Sequence, residues 1–165
     1  MKIVIFPFAK TMRTGKQHPK NYPWWPELIK LLQDDGHEVI QVGLDHETQL
    51  VPDFRKNLSI EQLSNLLKET DTWIGVDSFG QHLGWYLGIK GIALFGQSDP
   101  VIFGHVENIN ILKSRKYLRE QQFWLWEQAE FNADAFVKPD EVFETFNKTF
   151  KNQEKTLPNV LNFIR

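Results

Sequence analysis

The 165-residue chain has no cysteine, which excludes disulfides and thiolate metal sites and fits a reducing compartment. It has no basic excess: 19 Lys and Arg face 21 Asp and Glu, for a net charge of -2. That balance lacks the footprint of a nucleic-acid binder or an anionic-membrane anchor. No run approaches the roughly 18 apolar residues of a membrane span. The opening M-K-I-V-I-F-P-F carries one lysine and a short apolar run, and reads as a first strand, not a signal peptide. A cytoplasmic location is expected. Gly88, Gly91 and Gly96 form neither a P-loop nor a GxGxxG fingerprint. Ser78 lies in no nucleophile elbow. His105 and Asp99 lack diagnostic metal-ligand spacing, so no metal site is expected. Repeats, low-complexity segments and interdomain linkers are absent too. One domain over 1–150 is expected, with 151–165 as a tail that forms a short helix.

Aromatic residues are plentiful, with six tryptophans and thirteen phenylalanines. Several cluster in Tyr22-Pro23-Trp24-Trp25-Pro26 and in Phe123-Trp124-Leu125-Trp126. Most are expected to pack the core. The Trp124/Trp126 pair is the candidate for an apolar surface that covers a partner.

Strand and helix patterns alternate. Lys2–Phe8 is β-branched and apolar, a buried strand ended by proline. Leu28, Ile29, Leu31 and Leu32 mark a helix over 24–35, and Gly36 stops it. Residues 37–42 form the second strand. Ser59-Ile60-Glu61-Gln62 is a capping box that opens the next helix. Strands are expected at 72–76, 91–95 and 109–112, with a short helix over 79–87. An aromatic helix is expected over 117–131, and Pro139 starts another. The pattern is that of an α/β fold with a doubly wound parallel sheet.

Four loops follow strands: 9–23, 43–52, 77–82 and 96–105. A parallel sheet gathers such loops at one edge, where ligands bind. The first holds Thr11, Arg13, Thr14, Lys16 and Lys20, hydroxyls and cations that suit a diphosphate. The second holds Glu47, placed as an acceptor for ribose hydroxyls. The third puts Asp77 and Ser78 at a helix start, where free N–H groups favour an anion. Taken singly, the cations could be an ordinary solvated loop, Asp77-Ser78 a helix cap and His82 a packing residue. Their convergence favours a nucleotide site.

The block D-S-F-G-Q-H-L-G-W-Y-L-G-I-K-G-I-A-L-F-G-Q-S-D-P, residues 77 to 100, resembles the nucleotide-sugar-binding half of the heptosyltransferases (glycosyltransferase family 9, GT-B fold). The likeness lies in Asp77-Ser78, His82-Leu83, Leu87-Gly88, Leu94-Phe95-Gly96 and Ser98-Asp99-Pro100. Lys20-Asn21-Tyr22-Pro23 resembles the family's Lys-x-Trp-Pro, and Gly43-Leu44-Asp45-His46-Glu47 its Gly-x-x-x-Glu. The resemblance implies a single Rossmann-like domain equivalent to the C-terminal half of a GT-B enzyme, metal-independent and without a cofactor. Its donor would be a nucleoside diphosphate sugar, with an ADP-linked sugar among the candidates. Lys20 would touch the diphosphate, with Thr11 and Thr14 as alternative hydroxyl contacts. Glu47 would hold the ribose, and Leu58 would lie beside the base. Asp77, Ser78 and the Phe79 amide would face the sugar phosphate, with His82 one helical turn on.

Two departures stand out. Phe79 replaces a glycine whose bareness lets backbone approach the donor. The chain also starts on what resembles the first strand of the second half. An acceptor-binding half, and its catalytic base, would then come from a partner chain or a second copy, unless Asp77 or His82 serves as the base. Three readings stay open: a glycosyltransferase donor half, a non-catalytic module binding a nucleotide or nucleotide sugar, and an interaction subunit whose vestigial site is filled by Phe79.

Overall fold

The computed structural model describes residues 1–151. Six strands form one sheet: β1 (Lys2–Phe6), β2 (Glu38–Gly43), β3 (Phe54–Lys56), β4 (Thr72–Val76), β5 (Ile92–Phe95) and β6 (Ile109–Leu112). Their order is β3-β2-β1-β4-β5-β6 and every pairing is parallel. Five helices accompany them: α1 (Trp25–Asp34), α2 (Ile60–Lys68), α3 (Phe79–Tyr86), α4 (Pro100–Phe103) and α5 (Pro139–Phe146).

Successive strand residues point to opposite faces, so the sheet builds two cores. Ile3 and Ile5 join Leu28 and Leu32 of α1 and Val142 and Phe146 of α5 on one face. Val4 and Phe6 join Leu67 of α2, Leu83 of α3 and Trp73 on the other. Gly36 ends α1 at φ +84°, in the left-handed region that glycine occupies freely. The Ser59 hydroxyl accepts from the Gln62 N–H, and the Gln62 side chain accepts from the Ser59 N–H, so the expected capping box forms. Among the described residues no helix is long and apolar enough to cross a membrane.

The expected strands and helices form, with four differences. β1 stops at Phe6 instead of Phe8. β3 was not foreseen: it is three residues on the sheet edge, too short to show a period. The loop after β5 contains the single turn α4, capped by Asp99. The expected helix over 117–131 does not form; short 3-10 turns at Arg115–Tyr117 and Trp126–Gln128 interrupt irregular chain. Hydrogen bonds to backbone hold this segment instead. Gln122 Nε2 donates to the carbonyls of Gln97 and Arg119, and Gln97 Nε2 donates to that of Glu130. The short helix expected in the tail falls on 152–165, outside the described residues.

Candidate functional site

Strand order reverses between β1 and β4, so the loops leaving their carboxyl ends diverge and open a crevice. A cleft of about 400 Å³ lies there, extending past β2 to β3. Its apolar walls include Phe6, Phe8, Leu58, Leu63 and Phe79, and its polar groups include His18, Lys20, Glu47, Arg55, Asp77 and Ser78.

The long loop after β1 is tied down along its length. The Ala9 N–H donates to Asn21 Oδ1 at 2.8 Å, the Trp25 indole donates to the Pro7 carbonyl at 3.0 Å, and the Tyr22 hydroxyl donates to the Val137 carbonyl at 2.9 Å. Burial, chiefly, pushes that Tyr22 hydroxyl's pKa upward. These anchors fix where Lys20 stands. Its Nζ lies 2.9 Å from Asp77 Oδ2, with the lysine side chain 18% exposed and the aspartate 3%. Gln81, one turn into α3, donates to the other Asp77 oxygen at 2.6 Å. Lys20 Nζ also stands 5.0 Å from the Trp126 ring centre and 5.6 Å from that of Phe103. The ion pair spans the β1/β4 crevice.

His18, two residues before Lys20, is buried, and its Nδ1 accepts the Lys20 N–H at 3.1 Å. Its pKa falls to about 4, first through desolvation and then through the Lys20 charge. The ring is therefore neutral near pH 7, with Nδ1 as the acceptor and the proton on Nε2.

On the β2 side, Glu47 turns back so that its Oε2 accepts the Leu44 N–H at 3.0 Å. Burial is the main cause raising its pKa. Gly43 makes this possible, because a Cβ there would overlap the Glu47 carboxylate. Ser78 caps α3 without a side-chain hydrogen bond to the first turn. Its hydroxyl and the first helix amides therefore remain open to an anion. Phe79, 49% exposed, opens α3 against the cleft, and Gly80 behind it packs directly on the Phe6 ring.

Of the residues singled out in the sequence, Lys20, Glu47, Leu58, Asp77, Ser78 and Phe79 line this cleft. Thr11, Thr14 and His82 do not. Thr11 Oγ1 lies 2.8 Å from His46 Nε2, and the Thr14 hydroxyl accepts the Lys16 N–H. His82 Nδ1 lies 2.7 Å from His105 Nε2, and Trp85 stacks on His105 with ring centres 4.2 Å apart. Burial, then the neighbouring His105, lower the His82 pKa. Asp99 holds Arg115 with both oxygens and caps α4, a structural role. Among the described residues no group of three His, Cys, Asp or Glu could hold a metal.

Sequence reasoning missed His18, Arg55 and Asn57. Arg55 reaches the cleft because β3 pairs it with Val42. Asn57 sits at φ +52°, and its side-chain amide donates to Asp45.

The cleft thus joins cations, a neutral imidazole and helix amides to aromatic and aliphatic walls. Such a lining suits a ligand with an anionic part and a flat apolar part. The family model for glycosyltransferase family 9 (heptosyltransferase) matches residues 1–124. Curated proteins yield no match. Among solved structures, the chain is similar to E. coli ADP-heptose lps heptosyltransferase II, with a TM-score of 0.67 and 19% identity over 93% of this chain and 47% of that one. It is also similar to the dodecameric iron-containing heptosyltransferase TibC in complex with ADP-D-beta-D-heptose, with a TM-score of 0.68 and 17% identity over 93% and 46%. E. coli heptosyltransferase WaaC with ADP gives a TM-score of 0.62 and 20% identity over 88% and 43%. The chain spans about half the length of these structures.

Proposed function

Since the chain belongs to glycosyltransferase family 9 (heptosyltransferase), we propose that its cleft binds a nucleoside diphosphate sugar as the donor site of a glycosyl transfer. The observation that carries this is the Lys20–Asp77 pair at the β1/β4 crevice, beside the open amino end of α3. Lys20 and the Ser78 hydroxyl and helix amides take the diphosphate. Glu47 accepts from the ribose, and Leu58 and the phenylalanine walls cover the base. Asp77 is already committed to Lys20 and Gln81. That suits it to positioning Lys20 and stabilising the departing nucleoside diphosphate through it, more than to proton abstraction. TibC with ADP-D-beta-D-heptose and WaaC with ADP are similar structures that hold an adenosine diphosphate, and we extend that base to this chain.

Transfer also needs an acceptor site and a base to deprotonate the acceptor. We assign both to a second Rossmann-like half. The exposed apolar face formed by Val101, Ile102, Phe123, Trp124 and Leu125 is where it would dock. One observation favours the alternative of a non-catalytic binding module: Phe79 projects where a donor sugar would approach.

Calorimetric titration with ADP, UDP, GDP and their sugar conjugates tests the proposal. One diphosphate is expected to bind, and Lys20→Ala and Asp77→Ala are each expected to weaken it while the domain stays folded. Binding without any preference for the sugar conjugate supports the non-catalytic module. Normal binding by both variants would overturn the site assignment.

A further inference from the structure

The diphosphate reading gives no role to a buried imidazole in the cleft. His18 is buried at the wall where Lys20 and Asp77 meet, and it lines the cleft itself. Its Nδ1 is occupied by the Lys20 N–H. Its ring is braced by Trp126, with ring centres 5.5 Å apart. Among the described residues nothing accepts from its Nε2. The charged groups around it are Lys20, Asp77, Glu127 and Arg119. Arg119 in turn stacks on Trp126, its guanidinium 4.0 Å from the ring centre.

Resting on the donor-site reading, we propose that His18 is a further ligand-binding residue, a neutral imidazole whose Nε2–H donates to a diphosphate oxygen beside Lys20. A neutral ring with Nδ1 satisfied by backbone has one remaining hydrogen-bond function, and that function is a donor. Turning a fixed donor towards phosphoryl oxygens adds a directed bond to the unspecific attraction of Lys20, whose ammonium acts as a point charge. The same backbone bond closes residues 18 to 20 into a short turn and sets the ring beside the Lys20 backbone, while Asp77 holds the ammonium. The Lys20 charge therefore comes with a donor of set direction. Sequence patterns miss this because a histidine two residues before a lysine in a long loop belongs to no motif.

Two substitutions separate donation from loop support. His18→Asn retains an acceptor near Nδ1 and loses the Nε2 donor. His18→Gln does the reverse, placing an amide near Nε2. Calorimetry at pH 7 on the full chain, with ADP and with adenosine, reads both. A charge-assisted hydrogen bond corresponds to roughly tenfold in affinity. His18→Asn is expected to weaken ADP by about that factor and leave adenosine unchanged, and His18→Gln to recover part of the loss. In the free wild-type protein, nitrogen NMR is expected to show the proton on Nε2 of His18, with that resonance moving on addition of ADP or inorganic pyrophosphate. Equal ADP affinity in wild type and His18→Asn, or equal weakening of ADP and adenosine, would overturn the role of His18 while leaving the donor site standing. Failure of the wild type to bind any nucleoside diphosphate would overturn the donor site, and this role with it.

Discussion

Lys20 and Asp77 hold opposite charges in a place that water reaches poorly, and each is costly without the other. Removing the lysine leaves a carboxylate 3% exposed, with only Gln81 to answer it. Fully buried pairs lose about 3–5 kcal/mol when one partner is removed. Lys20 keeps some water, so Lys20→Ala is expected to cost about 2 kcal/mol in urea denaturation, with ADP affinity falling at least about tenfold. Unchanged stability would show that Asp77 protonates or finds another partner at no cost. His18 sets a pH dependence. Its folded pKa of about 4 lies below the unfolded 6.5, so the unfolded chain binds more protons between those values. Stability is therefore full above about pH 6.5 and falls as pH drops towards 4, by up to about 3 kcal/mol from this group. His37 and His82, also lowered, act in the same direction. Urea denaturation at pH 7 and pH 4.5 should show a smaller loss for His18→Asn than for the wild type. An identical loss would mean that His18 is not the group that titrates.

Helix α3 carries the site because two glycines let it lie flat on the sheet. Gly80 meets the Phe6 ring and Gly84 the Trp73 ring, four residues apart on one helix face. Trp73 is fully buried, and its indole N–H donates to the Ile89 carbonyl, so it has no room to yield. Gly84→Ala gains up to about 1 kcal/mol of helix propensity but forces an overpacked contact. A net loss of about 1–3 kcal/mol is expected in thermal or chemical denaturation. A stabilised Gly84→Ala would show that α3 can lift from β4. Gly43→Ala makes a useful contrast, since its Cβ meets the far end of the flexible Glu47 side chain. Its expected effect is displaced Glu47 and weaker nucleotide binding, with little change in stability. Elements of this kind were legible in the sequence wherever a period or a cap marked them. The β-branched apolar run through Ile3, Val4, Ile5 and Phe6, the Ser59 box and the Asp77-Ser78 helix start all read correctly. β3 was not legible because three residues carry no period. Residues 117–131 misread because aromatic spacing imitates a helix, while Gln97 and Gln122 bind the backbone into irregular chain by contacts distant in sequence. His18 became visible only once the loop was closed by its bond to Lys20.

At the scale of the molecule, a six-stranded parallel sheet places its cleft at the strand-order reversal and leaves one apolar face uncovered beside it. Phe123, Trp124 and Leu125 are 80%, 60% and 62% exposed. Phe123 packs edge-on against Phe103, whose ring lies 5.6 Å from Lys20 Nζ, so the face runs on from the cleft. Burying a large apolar side chain contributes about 1.5–3 kcal/mol, enough that three of them could decide an association. Trp126, paired with Trp124 in the sequence reading, turns inward instead and covers Lys20 and His18. The partner surface therefore centres on Phe123 to Leu125, and the substitution that tests it must spare both Trp126 and Phe103. Trp124→Ser combined with Leu125→Ser meets that condition, because neither side chain lines the cleft and the Phe103 ring keeps its Phe123 partner. If the acceptor half docks here, a Rossmann-like acceptor domain supplied in trans should associate with the wild-type chain in sedimentation velocity and support sugar transfer from the donor. The double variant should bind ADP within about twofold of wild type and lose both association and transfer. If the wild type instead sediments as a homodimer that the double variant abolishes, the covering partner is a second copy. Transfer or association undiminished by the double variant would place the acceptor half on another face.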